Sequence, residues 1–147
     1  MNIAMGNDHA AVREKQALLE ALTNMGHQVI DLGCDSDEST DYPDYAARVA
    51  HAVTGGRADL GILLCGTGIG MSIAANKIHG VRAALCHSPE TAAKSREHND
   101  ANILCCGARV MDLANILATA SAFLTTPFAG GRHARRVQKM MALETEQ

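Results

Sequence analysis

Tryptophan is absent from this chain, and phenylalanine and tyrosine occur only twice each. So few rings supply no stacking platform for bases. The 13 Lys and Arg against 16 Asp and Glu leave a formal charge of −3, which offers no basic face to a phosphate backbone. No nucleic-acid partner is expected. Long apolar runs are missing too: none approaches the ~20 residues of a membrane helix, and Met1-Asn2-Ile3-Ala4-Met5 lacks the basic start of a signal peptide. No membrane association is expected, and the reading places the chain in the cytoplasm.

The five cysteines, Cys34, Cys65, Cys86, Cys105 and Cys106, include no C-x-x-C pair and no Cys/His cluster at zinc spacing. They read as reduced thiols, four of them in or beside apolar segments where cysteine serves as a small core residue. Cys65 alone is succeeded by a glycine-rich loop.

Cys65-Gly66-Thr67-Gly68-Ile69-Gly70 closes the apolar run Leu60-Gly61-Ile62-Leu63-Leu64. A short run of this kind reads as a buried strand, and glycines past its end let backbone N–H groups converge on an anion beside the thiol. The Gly-x-Gly-x-Gly spacing is neither the dinucleotide fingerprint nor a P-loop, and it does not follow the first strand. A nicotinamide cofactor is not expected. Taken alone, the loop reads equally well as a tight turn around a small buried cysteine; its neighbours decide.

At 147 residues the chain fits one domain with a core of its own. Residues 2–5, 28–31, 60–64, 81–85 and 102–106 read as five strands, with helical patterns between and after them. Leu18, Leu19, Leu22 and Met25 carry the first helix, which ends at Gly26; the second has Pro43 in its first turn and stops at Gly55-Gly56. Leu113, Ile116, Leu117, Ala120, Phe123 and Leu124 mark a later helix, broken at Thr125-Thr126-Pro127 before a basic C-terminal helix from about residue 132. This alternation predicts an α/β fold, a parallel sheet covered on both faces by helices.

Ligands of open parallel sheets bind beyond the carboxyl ends of the strands. Gly6-Asn7-Asp8-His9, residues 65–70 and Gly107-Ala108-Arg109 all fall there, making one polar mouth. Asp8-His9 alone reads as a capping aspartate beside an incidental histidine; facing a glycine anion loop, it reads as part of a site. Arg132 and Arg136 share a helix face and, with Gly130-Gly131 before them, are expected to bring a helix N-terminus to the same anion. The bland reading of Arg132, His133, Arg135 and Arg136 is a solvated basic face. Ser95-Arg96-Glu97-His98-Asn99-Asp100 precedes the fifth strand, at the wrong end of the sheet for that mouth. Either His98 and Asn99 orient a turn, or they reach the mouth of a neighbouring subunit in a symmetric dimer.

Five segments stand in the order found in one family: Gly6-Asn7-Asp8-His9-Ala10; Asp41-Tyr42-Pro43-Asp44-Tyr45-Ala46; residues 65–70 with Ser72-Ile73-Ala74-Ala75-Asn76-Lys77; residues 95–102; and Gly130-Gly131-Arg132-His133 with Arg136. From Ile3 to about Met140 the chain resembles the type B ribose-5-phosphate isomerases, whose family also contains the galactose-6-phosphate isomerase subunits. The resemblance implies a Rossmann-like three-layer α/β/α sandwich on a five-stranded parallel sheet. It also implies a homodimer, in some members paired into tetramers, with active sites shared between subunits.

By the same resemblance Cys65 is the base that moves a proton between C2 and C1 of an open-chain sugar, His98 assists ring opening, and Thr67 transfers protons at the substrate oxygens. The backbone of Gly66, Thr67, Gly68, Ile69 and Gly70 holds the cis-enediolate oxygens. Asp8 and Asn99 bind sugar hydroxyls, and His9, Arg132 and Arg136 take the phosphate. Arg109 is a further phosphate contact from the partner subunit, and Asp41 a lesser candidate at the sugar end. Another branch uses a glutamate base where this chain has Met71, which places it in the thiol branch. The implied partner is a small sugar phosphate; no metal or organic cofactor is implied.

The chemistry fits those roles. Preorganised N–H donors stabilise the oxyanion that forms when a proton leaves the carbon beside a carbonyl, and phosphate binding positions the reacting carbons. Family members also act on allose 6-phosphate, galactose 6-phosphate or tetrulose 4-phosphates, and residues 34–38, Cys86-His87-Ser88, Cys105-Cys106 and Met111 depart from the usual pattern. A non-catalytic sugar-phosphate sensor would keep His9, Arg132 and Arg136 while losing Cys65, Thr67 or His98, all of which are present.

Overall fold

The structure, a computed structural model, describes residues 1–145. Five strands, β1 (Asn2–Asn7), β2 (Gln28–Asp31), β3 (Leu60–Cys65), β4 (Ala83–Leu85) and β5 (Ile103–Gly107), pair in parallel in the order β2-β1-β3-β5-β4. Between and after them run α1 (Val12–Asn24), α2 (Tyr42–Thr54), α3 (Ile69–Ala75), α4 (Pro89–Asn99), α5 (Leu113–Thr125) and α6 (Arg132–Ala142).

The apolar run of β3 explains the layering. Ile62 and Leu64 face a core shared with Leu18 and Leu22 of α1, Ala92 of α4 and Phe123 of α5. Leu63 and Cys65 point the other way, into a second core with Val49 of α2 and Met71 of α3. A strand buried on both faces has no polar side to show, hence the continuous run instead of alternation. Two cores on one sheet make the three-layer α/β/α sandwich.

Local signals set the helix ends. Ser88 caps α4 in a reciprocal box with Thr91, Asp112 accepts the Asn115 N–H to start α5, and Pro43 lies in the first turn of α2. Met25 is not part of the α1 apolar face: it caps the helix, bonds back to Ala21 and is 49% exposed. The strands also shift from the sequence reading. At the amino end, Asn102 N–H donates to Arg82 C=O while the Asn102 side-chain amide accepts from Arg82 N–H and donates to Gly80 C=O, and the paired strands begin at Ala83 and Ile103. At the carboxyl end β1, β3 and β5 run on to Asn7, Cys65 and Gly107, which fixes Cys65 inside the sheet.

From β1 the chain passes to β2 on one side and β3 on the other, so the order reverses between β1 and β3. A crevice opens at such a switch point, beyond the strand ends.

Candidate active site

Asp8 and Cys65 flank that crevice. Asp8 N–H donates to Leu64 C=O across the strand pair, at 3.2 Å. The Asp8 carboxylate accepts the Ala10 N–H at 2.9 Å, capping a short turn, His9–Ala11, that leads into α1. His9 stands at the head of this turn, and its Nδ1 accepts the Thr40 N–H at 3.2 Å.

The glycine loop wraps the thiol. Gly68 N–H donates to Cys65 Sγ at 3.1 Å. Gly68 reaches this geometry in the left-handed region, φ 78°, at the start of α3. Thr67 is exposed, and its Oγ1 accepts the Ile69 N–H at 3.3 Å. Gly70 lies beneath the Tyr42 ring so closely that a Cβ there would sit 2.7 Å from Tyr42 Cζ. The third side of the mouth comes from β5: Ala108 N–H donates to Cys65 C=O and Arg109 N–H to Gly66 C=O. The Arg109 side chain then lies over Gly66 of its own chain, where a Cβ would meet its Cδ at 3.2 Å.

All five thiols are buried, and for three of them burial penalises the thiolate. It raises Cys86, pushes Cys106 up to about 12 with help from Cys86, and holds Cys105 well above the usual thiol range, so these three stay protonated.

The remaining candidates assemble elsewhere. His98 and Asn99 end α4, ahead of β5, and the imidazole of His133 in α6 stacks on that of His98 with centroids 4.4 Å apart. Ala129 N–H donates to Glu97 C=O and ties the segment before α6 to α4. Arg132 and Arg136, both exposed, thus stand with His98 at the amino end of the sheet. The expectation that Gly130-Gly131 brings the α6 N-terminus to the anion of the Cys65 loop does not hold within one chain. Packing of α6 on α4, which no local pattern specifies, decides its place. A cavity of about 420 Å³ at this end is lined by Asn76, Arg82, Asn99 and Met140, away from Cys65.

Asp41 precedes α2 without capping it, and its carboxylate is exposed. Sequence reasoning did not place Tyr42 or His133 against the candidate residues, although both lie within the five family segments. Only the fold lays Tyr42 on Gly70 and His133 on His98. Among the described residues no three His, Cys, Asp or Glu side chains gather as a metal site. No helix among them is long and apolar enough to cross a membrane.

Comparison with known proteins adds to this geometry. Residues 3–140 match the family model described as Ribose/Galactose Isomerase. Ribose-5-phosphate isomerase B of Escherichia coli K12 is 48% identical over 142 residues, covering 97% of this chain and 95% of that protein. A solved ribose-5-phosphate isomerase B of Clostridium thermocellum superposes with a TM-score of 0.98 at 47% identity, covering 99% of both chains. The Mycoplasma genitalium enzyme, solved with bound ribulose 5-phosphate, gives 0.95 at 42% identity, covering 99% of this chain and 97% of its own. Matched along nearly its whole length in both sequence and fold, the chain belongs to the ribose/galactose isomerase family.

Proposed function

We propose that this protein interconverts D-ribose 5-phosphate and D-ribulose 5-phosphate through a cis-enediolate. The observation that carries the reading is Cys65 Sγ held by the Gly68 N–H inside a glycine loop at the carboxyl end of β3. The Escherichia coli and Clostridium thermocellum relatives, both ribose-5-phosphate isomerases, support the choice of sugar.

In the aldose-to-ketose direction, His98 takes the O1 proton as the furanose C1–O4 bond breaks and O4 is protonated. Cys65 thiolate then removes the C2 proton, and its electrons form the C1–C2 double bond while O1 becomes the oxyanion. N–H groups of residues 66–70 hold the enediolate oxygens. Thr67 moves the O2 proton to O1, and the Cys65 thiol returns its proton to C1. Asp8 and Asn99 hold hydroxyls; His9, Arg109, Arg132 and Arg136 take the phosphate, fixing C1 and C2 before the sulfur.

The two groups of residues stand at opposite ends of β5, a strand of five residues that spans roughly 15 Å. One chain does not close its own site. A two-fold homodimer that brings the His98 end of one protomer to the Cys65 mouth of the other completes two sites at once. Ile69 and Ile73, 50% and 57% exposed on α3 beside the glycine loop, are apolar surface for such a contact.

Initial rates with purified protein test the reading, comparing ribose 5-phosphate with allose 6-phosphate, galactose 6-phosphate and erythrulose 4-phosphate. Preference for ribose 5-phosphate, abolished in Cys65→Ala with ligand binding retained, is the expected result. Preference for another sugar phosphate moves the substrate and keeps the chemistry. No turnover of any of the four would replace the enzyme with a sensor.

A further inference from the structure

Lys15 is fully buried, and the reaction does not use it. An ammonium in an apolar interior is costly unless paired, and even a paired one is a weak stabiliser beside an apolar side chain of similar volume. Its Nζ donates to Asp31 at 2.8 Å and also to Asp35. Burial pulls the Lys15 pKa down, but the bonds and charges of the two aspartates outweigh it and leave the group above its ordinary value, so it is charged at neutral pH. The aspartates do not need the lysine for solvation: their side chains are 31% and 79% exposed. What the arrangement supplies is a directional grip on the segment that leaves β2.

That segment returns to the crevice. Asp31 ends β2 and Asp35 lies in the following loop. The buried Asn7 amide donates to Cys34 C=O at 3.1 Å and to Asp8 C=O at 2.9 Å, pinning the middle of the loop to the end of β1. At the far end, Thr40 N–H donates to His9 Nδ1. A nitrogen that accepts an N–H carries its lone pair, so the neutral His9 ring holds its proton on Nε2. The turn bearing His9 runs directly into the helix bearing Lys15. One continuous helical stretch therefore holds the loop near its beginning through Lys15 and at its end through His9.

We infer that Lys15 is a positioning residue for His9: through the loop of residues 32–41 it sets the imidazole tautomer that presents Nε2–H to the substrate phosphate. The inference rests on the phosphate role given to His9 above. If the loop slips, Nδ1 loses its donor, the tautomers mix, and the ring is free to turn.

The test uses the full chain labelled with ¹⁵N, with imidazole tautomers read from long-range proton–nitrogen correlations and His9 assigned through His9→Gln. Wild type is expected to show the Nε2–H form. In Lys15→Met the His9 pattern shifts to a mixture, KM for ribose 5-phosphate rises roughly tenfold, and kcat stays within about twofold, the signature of lost ground-state binding. Asp35→Asn, at an exposed carboxylate, shifts both readouts in the same direction by less and decides the matter if Lys15→Met does not fold. A folded variant with the wild-type His9 pattern and KM overturns the inference. Unchanged KM and unchanged inhibition by inorganic phosphate in His9→Gln would instead remove His9 from the phosphate site, a separate failure, and the tautomer readout would still decide whether Lys15 positions the ring.

Discussion

The imidazole rings of His98 and His133 lie 9° from parallel with centroids 4.4 Å apart, and His133 is buried beneath the stack. Burial lowers the His133 pKa from 6.5, and His98, Arg132 and Arg136 lower it further, while Glu97 opposes them. Below 6.5 the unfolded chain takes up this proton before the folded chain does, so stability falls with pH in the window between the lowered value and 6.5. Above 6.5 the contribution is whole. Urea unfolding between about pH 5 and 7.5 should show a steeper acid loss for wild type than for His133→Phe, which keeps a flat ring and removes the titration. Equal slopes would dismiss the stack as a source of pH dependence.

Gly68 has no room for a side chain. Its φ of 78° disfavours any L residue, and a Cβ would lie 2.5 Å from Leu85 Cδ1 and 3.0 Å from the Cys106 carbonyl carbon. Gly68→Ala should cost about 3 kcal/mol of stability from strain and overpacking together. Gly68→Ala keeps the backbone N–H that donates to Cys65 Sγ but forces the loop that aims it to shift, so the folded fraction should also lose kcat, by up to roughly a hundredfold, the scale for a preorganised donor moved out of place. Activity per folded molecule equal to wild type would show that the chemistry does not depend on the exact aim of this donor.

Thiol reactivity should be selective. Cys86, Cys105 and Cys106 remain protonated because burial penalises their thiolates, whereas Cys65 receives an N–H at its sulfur. Iodoacetamide at pH about 8, followed by peptide mass spectrometry, should label Cys65 well ahead of those three, and ribose 5-phosphate should slow that labelling. Labelling of Cys105 or Cys106 at the Cys65 rate would contradict the ordering.

The glycine boundaries, the apolar runs and Pro43 in the first turn of α2 are local, which is why the five strands and the alternation with helices were legible in sequence. So was the mouth made by Asp8, the glycine loop and Arg109, because the carboxyl ends of parallel strands must converge. The position of α6 was not: Arg132 and Arg136 carry the same local signal whether the helix packs at one end of the sheet or the other. Packing of α6 on α4 settles it, through contacts between residues far apart in sequence. Lys15 was silent for a similar reason. A lysine in an amphipathic helix reads as solvated, and only the return of Asp31 and Asp35 beside α1 makes it a buried one.

The separation of Cys65 from His98 yields a test of shared sites that needs no structure of a complex. On the proposed mechanism and dimer, Cys65→Ala removes the base from one half of each composite site, and His98→Ala removes the ring opener from the other. Each variant alone should be close to inactive. If the sites lie between protomers, refolding the two together in equal amounts makes half of the dimers hybrid, and each hybrid holds one site with both residues intact. Random pairing therefore restores roughly a quarter of wild-type activity. A single-chain site restores none, because every protomer in the mixture then carries a damaged site of its own. Recovery that tracks the hybrid fraction as the mixing ratio changes would assign Cys65 and His98 to different protomers of one site.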